Sequence, residues 1–580
     1  MVANKRLIAG LVAVVSGIAA LYVAWLVDPS YLPPAVSDFL YRNLGERPYV
    51  APPPTLDQAA LQPEEICPER RPQWREAQTI DGVDVQASPA CNPDNPYEVA
   101  AFVKGTNKVS HGTLMQTQLA PDAVEVGRDL DGDGDPDEYH IRLEVIELNG
   151  FSPDEKIDVP GYSIAPGVRP GFWAFAPKSV GMATEDLVSL KAQPSLRMPS
   201  PTIRVEQGDR VKITLENTHY LPHTIHLHGV DHPFQKEDGA GNDGVPHNSE
   251  MEVMPGESRT YEMRLRHAGT MFYHCHVQTQ SHVLMGLNGM IVVEENRPNN
   301  WLQTLNIGAG QVRHPSVAVR ERYSREYDMV YQDVDYDMHN IIKTSNDPRV
   351  ISRRLHQTFN VTQRMPEAFL LNGRSSPYTL RESLVVVKEN ERVKMRVLNS
   401  GSESVFLHPH GHKVIQTALD GVDLAPAARI QRDVVLIGPA QRVDLELAAV
   451  NDGLNSYGPG AWMMHDHREQ AVTTNGIDMG GNMGMIVYEQ FLDENGMPKM
   501  AGDISHFFTP EYWRGELPAF YGMDPKGLLS DPAAPRPSVL GVLLTLLLAV
   551  LLGLFFGSLT WLIRSPGGGA AKPAGSRAKR

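Results

Sequence analysis

The chain has 580 residues and a formal net charge of −16, so it can hold several domains and lacks the basic surplus that binding nucleic-acid phosphates requires. Hydrophobic residues make up 42%, enough for real cores. The 45 prolines and 49 glycines favour a loop-rich β protein over a helical one.

Leu7 to Val27 is an uncharged, mostly apolar run. As a helix it reaches roughly the 30 Å of a bilayer's hydrocarbon. Lys5 and Arg6 precede it, and no small-x-small cleavage site follows. Residues 1–28 are therefore expected to form a membrane anchor with a cytoplasmic N-terminus, a cleaved signal peptide being the competing reading. Residues 29–137 form a Pro-rich segment. Its Cys67 and Cys91 are expected to pair in an oxidising compartment. The segment ends in RDLDGDGDPDEY, where Asp129, Asp131, Asp133, Asp135 and Asp137 alternate at a spacing that can wrap Ca2+. No EF-hand is complete there, since His140 stands at the twelfth position. A solvated acidic turn is the alternative.

Short strand-like runs then begin. RVKITLEN within 201–217 alternates with a strand's period of two. The phrases that follow occur twice, in one order. QGDRVKITLEN (207–217) resembles ENERVKMRVLN (389–399), GTMFYHCH (269–276) resembles GAWMMHDH (460–467), and NGMIVVEE (288–295) resembles MGMIVYEQ (483–490). Two β-sandwich domains of one type are expected, over 138–297 and 298–495. Residues 496–537 read as a linker. Val539 to Ile563, within 538–564, is a second apolar span, and the basic tail 565–580 follows it. Both termini are then cytoplasmic, and everything between the spans lies outside the membrane. The expected location is a bacterial inner membrane with the domains in the periplasm.

Four His-x-His pairs stand in these repeats: His226 and His228, His274 and His276, His408 and His410, His465 and His467. Residues i and i+2 of a strand share a face, so each pair presents two imidazoles, good ligands for copper, zinc, iron or nickel. One pair would read as a polar turn. Four pairs, two at matching places in each repeat, point to metal. Neither repeat supplies more than four imidazoles, so the site is expected where a first-type domain meets a second-type domain. Cys275, between His274 and His276, faces the other way. With His223 and His282 it makes the Cys-His-His set of a blue-copper electron-transfer site. The axial position falls on Leu287, which cannot ligate; Met285 and Met290 are the alternatives. In the second repeat Val405 stands at the place of His223, and Asp466 at that of Cys275. That domain keeps its imidazoles and has no sulfur-bound metal.

HLHG, HCH with a following His and GL, and HPHGH resemble the motifs of multicopper oxidases, specifically the two-domain kind with its type 1 copper in the first domain. The resemblance spans roughly residues 138–495. It implies an all-β chain of two cupredoxin-like Greek-key sandwiches carrying four coppers. Electrons from a one-electron donor would enter at type 1 copper and reduce O2 to water at a trinuclear cluster. His226 and His408 would hold type 2 copper, and His228, His274, His276, His410, His465 and His467 the type 3 pair. DGVP (243–246) is similar to the turn with the family's acidic residue, which makes Asp243 the candidate for proton delivery. Two-domain members resemble one another in forming head-to-tail homotrimers, with each cluster between subunits. The Cys275–His282 spacing and the transmembrane spans depart from the common pattern. Copper nitrite reductase is the alternative enzyme, and a membrane-anchored copper-storage or electron-carrier module the non-enzymatic one. The donor is left open among phenols, metal ions, c-type cytochromes, small blue proteins and quinols.

Overall fold

The computed structural model describes residues 2–26, 78–80, 83–85, 123–150, 162–178, 197–297, 304–306, 310–312, 323–345, 347–494, 496–517 and 539–564. Cys67 and Cys91 lie outside the described residues, so the expected disulfide does too. The chain divides into two compact units, Met1–Leu56 with Gly515–Arg580, and Asp57–Arg514.

Within Asp57–Arg514 the repeat becomes two β-sandwiches of matching topology. In the first, Glu138–Leu148 runs parallel to Arg210–Glu216, which pairs antiparallel with Ser258–Arg264. The facing sheet orders Thr202–Glu206, Asn288–Glu294, Gly269–His274 and His226–His228 side by side. In the second, Arg325–Val334 runs parallel to Arg392–Asn399, which pairs antiparallel with Arg442–Ala448. Its facing sheet orders Val385–Val387, Gly484–Tyr488, Ala461–Asp466, Val405–Pro409 and Val435–Ile437. The period-two pattern decides the layering: Val211, Ile213 and Leu215 are buried in the first core while Arg210 and Lys212 face out. Val393, Met395 and Val397 do the same in the second.

A buried seam joins the two sandwiches. Phe272, Met290 and Val292 pack on Val330 and Leu398. Beside them Arg204 Nη2 donates to Asp328 Oδ2 at 2.5 Å and also pairs with Glu294. Arg396 pairs with Glu326, with Glu294 at 3.3 Å and with Asp444 at 3.1 Å. Lys394 meets Asp444 at 3.2 Å. Buried charges persist only when paired, and two of these pairings, Arg204–Asp328 and Arg396–Glu294, cross the domain boundary.

The structure departs from the sequence expectations at three places. Val124–Val126, assigned to the Pro-rich segment, pairs with Glu138–Leu148 and so belongs to the first sandwich. The second domain is not purely β: helical turns run from Tyr336 to Gln363 between two of its strands. The start of the supposed linker is docked, with Phe507 and Trp513 buried against Phe172, Met198 and Leu370. Of the two expected spans, one helix among the described residues is long and apolar enough to cross a membrane, over Leu546–Ile563; the apolar stretch Leu7–Ala20 is shorter. The helices Val2–Leu26 and Val539–Arg564 pack through Ala20, Val23, Leu548 and Leu551.

Candidate metal centre

Gly269–His274 lies between its partners so that His274 sits opposite His226 and Phe272 opposite His228. This pairing, distant in sequence, gathers the first imidazole quartet. His228 Nε2 and His274 Nε2 are 2.9 Å apart, and His226, His228 and His274 each bring a nitrogen within 4.8 Å of the others. The His276 ring stands 5.2 Å from that of His226, centroid to centroid. His226 donates from Nδ1 to the Asp243 carbonyl at 2.6 Å, and His274 from Nδ1 to the Cys275 carbonyl at 2.8 Å. Such tethers fix the tautomer and leave Nε2 as the ligating atom.

The second quartet repeats this plan. His408 sits opposite His465. His410 Nε2 is 3.1 Å from His465 Nε2. His408 donates from Nδ1 to the Asp433 carbonyl at 2.8 Å and His465 to the Asp466 carbonyl at 2.9 Å. The His467 ring lies 5.5 Å from that of His408. Among the described residues no ring of one quartet contacts a ring of the other. The His467 side chain is 52% exposed, so its quartet is open on one side.

Behind the first quartet, Cys275 Sγ lies 3.6 Å from His223 Nδ1 and 3.5 Å from His282 Nδ1. All three side chains are fully buried. Metal–nitrogen and metal–sulfur bonds of about 2.0 and 2.3 Å put trigonal or tetrahedral nitrogen and sulfur donors about 3.5–3.7 Å apart, so both sulfur–nitrogen distances match those of donors to one ion. The donor types suit copper. The Cys275 N–H donates to the Leu287 carbonyl at 2.9 Å, which brings that residue's backbone to the site; Leu287, Met285 and Met290 are all fully buried.

Burial holds His223 and His282 well below the usual imidazole range. Burial, with the neighbouring imidazoles, takes His274 down to about 3 and His228 down to about 4. These rings are neutral and ready to ligate. Burial pushes the Cys275 thiol up to about 12, so metal binding must release its proton.

Asp243 sits where its turn touches the first quartet. Gly244 has φ +76°, and a Cβ there would lie 2.0 Å from the Ile225 carbonyl oxygen. Only glycine lets the turn come this close to His226. Asp243 Oδ1 is 3.5 Å from His226 Nδ1 and 2.9 Å from His232 Nε2. His232 escaped the sequence reading because it pairs with no other histidine. His219 and His356 escaped it as well: His219 Nδ1 is 2.9 Å from His223 Nε2, and His356 Nε2 is 3.1 Å from His282 Nε2. His219, four residues before His223, was within reach of a spacing argument; His356 carried no signal.

The aspartates of the acidic loop fall into two groups. Asp129, Asp131 and Asp137 converge on one another, and Asp133 and Asp135 converge with Glu206 from the first sandwich. The second domain's methionines Met464, Met483 and Met485 are buried in its core.

A family profile described as multicopper oxidase matches residues 195–298, and a second so described matches residues 351–479. Laccase-2 of Thanatephorus cucumeris is 27% identical over 274 residues, 44% of this chain and 39% of that protein. A multicopper oxidase of Cercospora beticola is 34% identical over 93 residues, 16% of this chain and 14% of that protein. The chain thus spans less than half the length of these curated relatives. Among solved structures, a blue copper oxidase from Nitrosomonas europaea is 24% identical, covering 65% of this chain and 94% of its own, with a TM-score of 0.43. A copper nitrite reductase from the same organism is 18% identical, covering 62% and 98%, with a TM-score of 0.39.

Proposed function

Because the chain belongs to the multicopper oxidase family of copper-dependent oxidoreductases, we propose that it takes electrons singly from a donor at His223, Cys275 and His282 and uses four of them to reduce O2 to water. The reduction would occur where the two imidazole quartets of neighbouring copies meet. Copper held by these residues would supply reversible one-electron exchange, and four electrons with four protons convert one O2 into two waters.

The chain's own residues account for the rest. Cys275 is bonded through the backbone to His274 and His276, so a short covalent path leads from the sulfur to both imidazoles. The Asp433 and Asp466 carbonyls orient His408 and His465 as the Asp243 and Cys275 carbonyls orient His226 and His274. Asp243, bonded to His232, stands beside the first quartet as the group that passes protons.

The observation that carries this reading is the pair of quartets with the same tethers, each too small for three metal ions. A head-to-tail ring of copies, the homotrimer of the two-domain kind, would complete both. Apolar surface at the right places supports it. Phe406 is exposed on the strand that holds His408 and Leu436 on the strand paired with it, and Phe234, Met251 and Met254 are exposed around the Asp243 turn. A nitrite reductase needs three histidines at one copper and would leave most of both quartets idle. The two helices Val2–Leu26 and Val539–Arg564 are read as the membrane anchor.

Copper-loaded, detergent-solubilised protein tests the reading. The expected result is four coppers per chain, an intense blue absorption, O2 uptake without peroxide release, and a trimer by sedimentation. A Phe406→Glu/Leu436→Glu variant should sediment as a monomer, keep its blue band and lose most of the remaining copper. Two coppers per chain with nitrite consumption, or O2 reduction by a monomer, would overturn it.

A further inference from the structure

The edge of His282 that faces away from Cys275 does not reach solvent. His282 is fully buried, and its Nε2 meets His356 Nε2 at 3.1 Å. His356 belongs to the short helical segment Arg354–Thr358 of the second domain and is only partly buried. We propose that His356 is the residue through which electrons reach His282, and that the segment around it docks an anionic one-electron donor. This rests on the type 1 reading of His223, Cys275 and His282 given above.

Tautomers support the path. His282 Nδ1 faces the sulfur, 3.5 Å away, so in the metal-bound state its proton sits on Nε2. That N–H can only donate to His356 Nε2. The proton of His356 is then on Nδ1, which lies 3.4 Å from Ser352 Oγ. Metal binding therefore sets one orientation for the whole chain of groups, as partners of metal-bound histidines commonly do.

The other imidazole offers no comparable route. His223 Nε2 meets His219, which is itself buried, lies edge-on to Trp173 at 5.0 Å and stacks near Tyr220 at 3.9 Å. Beyond it stands Glu147, whose carboxylate accepts from Trp173 and Tyr220. A carboxylate behind a closed aromatic wall repels an anionic donor. The rim of His356 is the reverse. Arg349, Arg353 and Arg354 lie on the helical turns that carry His356, and Lys343 ends the turn before them. The one carboxylate among them, Asp347, is taken up by Arg349. In a chain of net charge −16, such a local surplus steers anions.

Ferrocyanide is a suitable probe, because it gives up one electron, becomes ferricyanide, and breaks no bond and moves no proton. Copper-loaded wild type and His356→Ala are mixed anaerobically with it, and bleaching of the blue band is followed by stopped flow. The expected result is an equal blue band in both and bleaching slower by about tenfold or more in His356→Ala. The wild-type rate should fall with ionic strength, and Arg353→Glu should slow ferrocyanide while accelerating the cationic donor hexaammineruthenium(II). On Cu(I)-loaded protein, nitrogen-15 shifts should place the His356 proton on Nδ1. If His356→Ala fails to load copper, His356→Gln is read the same way. A blue wild type whose bleaching is indifferent to His356 overturns this inference alone. A wild type with no blue band overturns the type 1 reading with it.

Discussion

Asp466 holds the second domain's metal-side strands together, and its replacement by alanine should show how much. The side chain is fully buried. Its Oδ1 accepts from the Phe406 N–H at 3.0 Å and from the Arg468 N–H at 3.1 Å. Its Oδ2 faces the Arg468 guanidinium at 3.4 Å. Asp466→Ala leaves two backbone donors without an acceptor, each costing about 1–3 kcal/mol when buried. Arg468 keeps Glu403 at 2.9 Å, so the ion pair adds little. A total of about 3 kcal/mol follows, which for a domain of this size lowers Tm by roughly 6–12 °C. Asp466→Asn keeps an acceptor at Oδ1 and should cost about 1 kcal/mol. Thermal melts of metal-free protein measure both. Copper analysis should show Asp466→Ala losing cluster copper while the blue band stays, because His465 and His467 flank the site of change. An alanine variant within about 0.5 kcal/mol of wild type, or an asparagine variant as costly as alanine, would refute the reasoning.

Arg204→Met should destabilise by about 3–5 kcal/mol, because it leaves Asp328 and Glu294 buried without that guanidinium; denaturant titration should show Arg204→Met/Asp328→Leu recovering part of the loss, and a double variant worse than the sum would contradict the seam. Burial, reinforced by Asp137 and Asp135, pushes Asp209 up to about 8. The folded chain therefore keeps a proton that an unfolded aspartate gives up near pH 4. This contribution is full below about pH 4 and is lost as pH rises to about 8, at up to about 1.4 kcal/mol per pH unit. Asp209→Asn should flatten that decline, and equal slopes for the two proteins between pH 5 and 8 would count against it. Leu287→Met should keep the blue band and lower the reduction potential, since axial ligation tunes such sites; an unchanged potential in a redox titration would return the axial position to another residue.

The strands and the histidine pairs were legible because both depend on a local period. Alternation in RVKITLE separates Val211, Ile213 and Leu215 from Arg210 and Lys212 whatever the tertiary fold. What could not be read was non-local. Nothing near His228 announces that Phe272 and His274 will lie beside it, and nothing near His356 announces His282, 74 residues away. The docked Trp513 was hidden by a Pro- and Gly-rich neighbourhood, although a large aromatic residue at the head of a supposed linker is itself a sign of packing. The helical turns from Tyr336 to Gln363 were missed because short capped turns, such as the one opened by Asp335, lack the length that gives helical periodicity its signal.

The replacement of Cys275 by Asp466 in the second repeat follows from the backbone around each. In the first domain the N–H groups of Thr224 and Val277 point at the sulfur and hold its pKa down against burial. In the second, the N–H groups of Phe406 and Arg468, one residue past Val405 and two past Asp466, point at the carboxylate. The two residues sit in one frame of two buried donors, and that frame needs an anion. A thiolate satisfies it once a metal has displaced the proton, whereas a carboxylate satisfies it without any metal. With Val405 in place of a ligand, a cysteine at 466 would stay protonated by burial and leave both donors weakly met. An apolar residue would leave them unmet. The aspartate keeps the strand ends, and therefore His465 and His467, in the positions their first-domain counterparts hold, while removing the sulfur that would bind a second ion. On the proposed reading, the half-cluster would thus be retained in a domain without an electron-accepting site of its own.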